Sequence, residues 1–73
     1  MIDERRTGLR CIARRRIRVI GKTRDVEQGE WGVIRYETDN EGRRLILVAW
    51  DGGELIHVFE DEVDVLWGSN AEV

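Results

Sequence analysis

Apolar and polar positions alternate most clearly between Trp31 and Phe59, where three runs read as consecutive antiparallel strands. The first, Trp31 to Glu37, carries Val33, Ile34 and Tyr36 behind Gly32, and the second, Leu45 to Trp50, is almost continuously apolar. The third is Leu55 to Phe59. The links, Thr38 to Gly42 and Asp51 to Gly53, are rich in Gly, Asn and Asp, which tolerate the positive φ of tight hairpins. Ile34, Ile46, Val48 and Trp50 are expected to face inward. Leu45 and Leu47 then need cover, from the N-terminal segment or from a partner.

Two periods compete between Leu9 and Ile20. Leu9, Cys11, Ala13, Ile17 and Val19 fall on alternate positions opposite Arg10, Arg14, Arg16 and Arg18, as in a half-buried strand. Leu9, Ile12, Ala13, Ile17 and Ile20 also fit one face of a helix, with Thr7 as its N-cap and Gly21 as its stop. The β-branched second half and the strands that follow favour the strand, and the helix remains the alternative. Gly21 to Glu30 reads as an exposed loop ending at Trp31, a residue placed either to close the core or to project as a stacking platform. After Phe59 a turn at Glu60, Asp61 and Glu62 leads to a last strand in which Val63, Val65 and Trp67 alternate.

These elements predict an all-β fold of about five antiparallel strands. The alternative is an N-terminal helix packed on a four-stranded antiparallel sheet. The expected organisation is a flexible arm over 1–8, one domain over 9–67 and a disordered tail over 68–73. The polar loop after the first strand, Gly32-Val33 opening the second, Trp50-Asp51-Gly52-Gly53 at a hairpin and Phe59-Glu-Asp-Glu-Val63-Asp-Val65 entering the last together resemble SH3-like small β-barrels. Among these the chain is similar to KOW-type barrels of ribosome and transcription factors. It is also similar to barrel accessory subunits of redox complexes, such as the variable chain of ferredoxin-thioredoxin reductase and the photosystem I stromal barrel subunit. The resemblance implies a barrel fold and transfers no functional residue.

A chain of 73 residues makes one domain and buries only roughly 60% of the surface its unfolded form exposes, so the core must be economical. With 37% charged residues the surface is expected to be laced with ion pairs. The net charge of -3 hides a division: residues 1–24 hold nine Lys and Arg against Asp3 and Glu4, and residues 25–73 hold three against thirteen acids. Such asymmetry marks either a basic arm for an anionic partner or strands of opposite sign laid side by side. The single cysteine, Cys11, excludes an internal disulfide and points to a reducing compartment, hence a cytoplasmic protein. Neither a signal-like apolar run at the N-terminus nor a membrane-spanning stretch is found, so membrane association is not expected.

Catalytic groups are few. His57 is the only histidine and reads as a surface or edge residue, and Cys11 reads as a small core residue, or as a reactive thiol if Arg10 and Arg14 meet it in solvent. One Cys and one His cannot assemble a zinc site, and the acidic run Glu60, Asp61, Glu62, Asp64 lacks the spacing of a calcium loop. No metal, cofactor or enzymatic activity is expected. The strongest chemical signal is arginine. In a strand Arg14, Arg16 and Arg18 would share one face at about 6.5–7 Å spacing, close to the phosphate separation of an extended nucleic acid, with Trp31 and Tyr36 as stacking partners. Arg43 and Arg44 add to the basic set. The expected function is a non-catalytic module that docks a protein partner through charged strand faces, with self-association as one version and RNA binding as the alternative. Nucleic-acid binding requires these arginines to be exposed and unpaired; protein docking allows them to pair with Glu37, Glu54 or Asp64.

Overall fold

The computed structural model describes residues 2–19, 21 and 24–68. Its strands are β1 (Arg10–Ala13), β2 (Trp31–Asn40), β3 (Arg43–Trp50), β4 (Leu55–Phe59) and β5 (Val63–Leu66), with one short 3-10 turn at Glu60–Glu62 before β5. All pairings are antiparallel, in one sheet of order β4-β3-β2-β1-β5. The fold is all-β, and no N-terminal helix forms over the described residues. None of the described helices is long and apolar enough to cross a membrane.

The central hairpin follows from its turn chemistry. Asn40 faces Arg43, and the two residues between them, Glu41 and Gly42, take φ of 52° and 81°, the two-residue loop whose twist matches the flanking strands. Glu41 is the one non-glycine residue with positive φ among those described. Ile34, Ile46, Val48 and Trp50 face inward as expected and form the core with Cys11, Ala13, Ile17, Val26, Ile56, Val58 and Val63. Full burial of an Ile or Val side chain contributes about 1.5–3 kcal/mol. The Trp50 indole N–H is buried with no hydrogen-bond partner among the described residues.

Three expectations need correction. The first strand stops at Ala13 rather than running toward Ile20. Ala13 donates to the Glu30 carbonyl and accepts from Gly29, and Arg14 donates to Glu62, so the chain bends away. Ile17 then pairs with Val26 through two backbone hydrogen bonds of 2.8 and 3.0 Å, and both side chains are buried. The apolar alternation seen in the sequence thus continues across a bend without a continuous strand; Ile20 lies outside the described residues. Second, Trp67 does not follow Val63 and Val65 inward. β5 ends at Leu66, and Trp67 stands 71% exposed with the Arg6 guanidinium 5.6 Å from its ring centre. Third, the alternation of β2 is interrupted by a bulge: Ile34 opposes Val48 and Tyr36 opposes Leu47, leaving Arg35 without an opposite residue.

Residues 2–8 lie along β2. Asp3 and Glu37 exchange backbone hydrogen bonds of 2.7 and 2.8 Å, the Thr7 hydroxyl donates to the Arg35 carbonyl at 2.7 Å, and Gly8 donates to the Ile34 carbonyl. The tail expected over 68–73 lies outside the described residues apart from Gly68.

Candidate functional site

The arginines sort into those held by carboxylates and those that are not. Arg14 stands 3.5 Å from Asp64, Arg15 reaches Glu62 and Asp61, and Arg16 pairs with Asp25 at 2.9 Å and with Glu27 at 3.8 Å. Arg24 is held by Glu30 and Glu54, both at 2.7 Å. Arg14 therefore has one of the partners the sequence offered it, whereas Glu37 and Glu54 are taken by other arginines. Because the chain bends after Ala13, Arg14, Arg16 and Arg18 do not form one strand-borne stripe. Arg18 is exposed, and among the described residues no carboxylate lies within 4 Å of it.

At one end of the core the bulge produces an arrangement that sequence reading missed. The extra residue places Glu37 inward, where it opposes Ile46 and is 3% exposed at its side chain. Arg6, itself 14% exposed, donates to both carboxylate oxygens, and Arg44 stands 3.7 Å away. Arg44 also approaches Asp3, whose carboxyl is held well below the usual range chiefly by the hydrogen bond from Arg5. A cleft of about 310 Å³ opens here, lined by Arg5, Arg6, Glu37, Arg44 and Trp67. Each of its guanidinium groups already faces a carboxylate, so the cleft is electrostatically satisfied and reads as the seal of the core.

The opposite face of β2, β3 and β4 is unusual for a solvated antiparallel face, which is ordinarily polar. Register places Tyr36, Leu47 and His57 in one row across the three strands, and Val33, Ala49 and Leu55 in the next. Tyr36 and His57 meet edge to face with ring centres 6.3 Å apart, over Leu47. Leu55 is 55% exposed, and Trp31, two positions from Val33, is 39% exposed. Thr38, Leu45 and Phe59 form a third row, with the Arg43 guanidinium 3.7 Å from the centre of the Phe59 ring. Arg10 stacks in the same manner against Trp31 at 5.9 Å. The bulge turns Arg35 as well as Tyr36 to this outer face, where Arg35 has no carboxylate within 4 Å among the described residues. A groove of about 350 Å³ runs between the Glu4–Gly8 turn and Val33, Tyr36, Leu47 and Leu55.

Of the residues singled out from sequence, Trp31, Tyr36 and Arg43 thus share this outer face. Arg44 belongs to the buried cluster instead, and Arg14, Arg16 and Arg18 lie in the connection between β1 and β2. Leu47, which with Leu55 of β4 completes the face, had a sequence signal in the two-sided apolar pattern of β3. His57 touches Tyr36, with no carboxylate ion pair among the described residues. Cys11 is fully buried, and that burial pushes its thiol up to about 12, an inert environment for a nucleophile.

Comparison of the chain with family models, curated proteins and solved structures finds no match in any of the three.

Proposed function

We propose that this chain is a small non-catalytic binding module whose outer β2-β3-β4 face docks a protein partner. The observation that carries the reading is the apolar and aromatic makeup of a solvated sheet face, in which Trp31, Val33, Tyr36, Leu47, Ala49 and Leu55 stand where polar residues are ordinary. Tyr and Trp beside Arg are the side chains that dominate protein interfaces. An SH3-like barrel is the architecture we assign to it, a reading supported by the meander β2-β3-β4 and by β1 lying between β2 and β5. We place the module in the cytoplasm, a reading supported by its one buried, unpaired thiol.

RNA is the second reading, and a specific observation favours it: Arg10 and Arg43 lie against aromatic rings on the same sheet face, the combination that stacks bases and neutralises phosphates. The net charge of -3 weighs against it. Two measurements decide. Panning a combinatorial library of short peptides against the purified protein is expected to enrich binders that lose affinity on Leu55→Asp and Tyr36→Ser and keep it on Arg16→Ser. Fluorescence anisotropy with labelled single-stranded RNA at two salt concentrations is expected to show no binding. Failure to enrich any peptide, or salt-sensitive RNA binding lost on Tyr36→Ser, overturns the protein reading.

A further inference from the structure

We propose that the free edge of β4 accepts an added β-strand from the partner protein, and that the strand it takes is apolar with acidic residues at one end. The inference rests on the protein-binding reading and names its mode of recognition.

Among the described residues β4 is an edge strand, paired on one side only, with β3. The phase of that pairing is set at its start, where Trp50 donates to the Glu54 carbonyl at 2.9 Å. In an antiparallel ladder the residues that bond to a neighbour alternate. Ile56 and Val58 therefore bond to β3, and Leu55 and His57 direct their N–H and C=O groups to the open edge. Phe59 donates its N–H to the Glu62 carboxylate at 2.8 Å, which closes the edge at that end. Exposed edges are usually protected by lysine, proline or a bulge; the sequence Leu-Ile-His-Val-Phe has no lysine or proline, and its pairing with β3 is regular.

Side-chain space accompanies these hydrogen-bonding groups, which no described residue meets. A groove of about 480 Å³ at this edge is lined by Val19, Leu47, Leu55, Ile56 and His57. Leu47, Leu55 and His57 belong to the outer face and Ile56 to the core side. Successive side chains of an added strand alternate between the two, which is how strand addition gains specificity. Val19 is fixed in place because its N–H donates to Asp25 at 3.2 Å, and that hydrogen bond, more than the charges of Arg16 and Arg18, holds the Asp25 carboxyl below its usual range.

Charge selects the occupant. β4 contains no carboxylate, lysine or arginine, and Arg18, next to Val19, has no carboxylate within 4 Å among the described residues, whereas Arg14, Arg15 and Arg16 before it are all paired. A second copy of β4 laid against the first would bring no carboxylate from that strand to Arg18. A strand ending in Asp or Glu would.

The test uses the full chain and two synthetic peptides of alternating valine and threonine, one beginning with two aspartates and the other with two lysines. The acidic peptide is expected to bind at least about tenfold more tightly at low salt, with the difference reduced by Arg18→Ser. Hydrogen exchange read by NMR is expected to show the Leu55 and His57 amides fast in the free protein and slowed on binding, with Ile56 and Val58 slow throughout. His57→Pro removes one edge donor and is expected to abolish binding. Three outcomes overturn the inference: neither peptide binds, the lysine peptide binds equally well, or binding perturbs Trp31, Tyr36 and Leu47 while the edge amides stay fast. The last leaves the protein-binding face standing. Slow Leu55 and His57 amides in the free protein, with a dimer mass by sedimentation, would instead identify a second copy as the occupant.

Discussion

Arg6 holds the carboxylate of Glu37 from 31 positions away in sequence, at 2.7 Å through Nε, with both side chains largely out of solvent. The pair fastens the N-terminal segment to β2 and closes one end of the core. Removing one partner from a buried pair strands the other charge, which costs roughly 3–5 kcal/mol, whereas replacing both with apolar groups is often neutral. Arg6→Met and Glu37→Leu are each expected to destabilise by about that amount. The double variant is expected to recover most of the loss, as read by urea unfolding monitored through tryptophan fluorescence.

Glu41 occupies the left-handed region at φ 52°, where a non-glycine residue is strained. Glu41→Asn creates the Asn-Gly pair that this turn type prefers and is expected to stabilise the protein by about 0.5–1 kcal/mol. Thermal melts should show a rise of several degrees.

Gly32 lies where β2 crosses Val48 and Trp50. A Cβ built there would clash with Val48 Cγ1 and stand 3.0 Å from a Trp50 ring carbon and 3.1 Å from the Ala49 carbonyl oxygen. Gly32→Ala is expected to destabilise by about 1–3 kcal/mol through overpacking. Gly42→Ala separates this effect from backbone strain: nothing lies within 4 Å of its added Cβ, and its φ is 81°.

The Cys11 thiol rises from 9.0 to about 12 because burial disfavours the thiolate, an effect partly opposed by the charge of Arg6. Between these values the folded chain retains a proton that the unfolded chain releases. Stability from this group is therefore complete below pH 9 and is lost as pH rises toward 12, at no more than about 1.4 kcal/mol per unit. Cys11→Ala should flatten that alkaline slope. At neutral pH the native protein is expected to resist thiol reagents until denaturant is added.

Arg14 and Arg16 make exposed ion pairs, which contribute about 0–1 kcal/mol each, and Arg18 has no such partner among the described residues. Replacing all three by serine is expected to lower stability by roughly 1 kcal/mol and to leave the circular dichroism spectrum unchanged. Loss of the fold would mean that the connection between β1 and β2 depends on these pairs far more than their exposure implies.

The central meander was legible because its alternation and its turn residues agree: Ile34, Ile46, Val48 and Trp50 are inward, and Glu41-Gly42 makes the turn. The first strand was legible in type and not in length. Cys11, Ala13 and Ile17 are all buried, but a backbone bend lies between the last two, and alternation alone does not register such a bend. Burial of Glu37 depends on the bulge at Arg35, which has no local sequence signature, so a carboxylate expected among surface pairs sits in the core. The outer face was half visible. Two apolar sides on β3 showed that Leu45 and Leu47 needed cover, while the rows they share with Tyr36, His57 and Phe59 follow only from register.

Arg35 is the one residue of β2 that neither of its two ladders pairs, since Ile34 keeps Val48 and Tyr36 keeps Leu47 on either side of it. Excising it leaves an unbroken alternation in which the isoleucine and the glutamate still point inward and the tyrosine still points outward. A chain one residue shorter at this point therefore retains every pairing between β2 and β3, and gives up the guanidinium on the outer face together with the carbonyl that receives the Thr7 hydroxyl. This strand accordingly contains a natural site for length change, where a single-codon deletion would alter the chemistry of the outer face while leaving the way the chain folds intact.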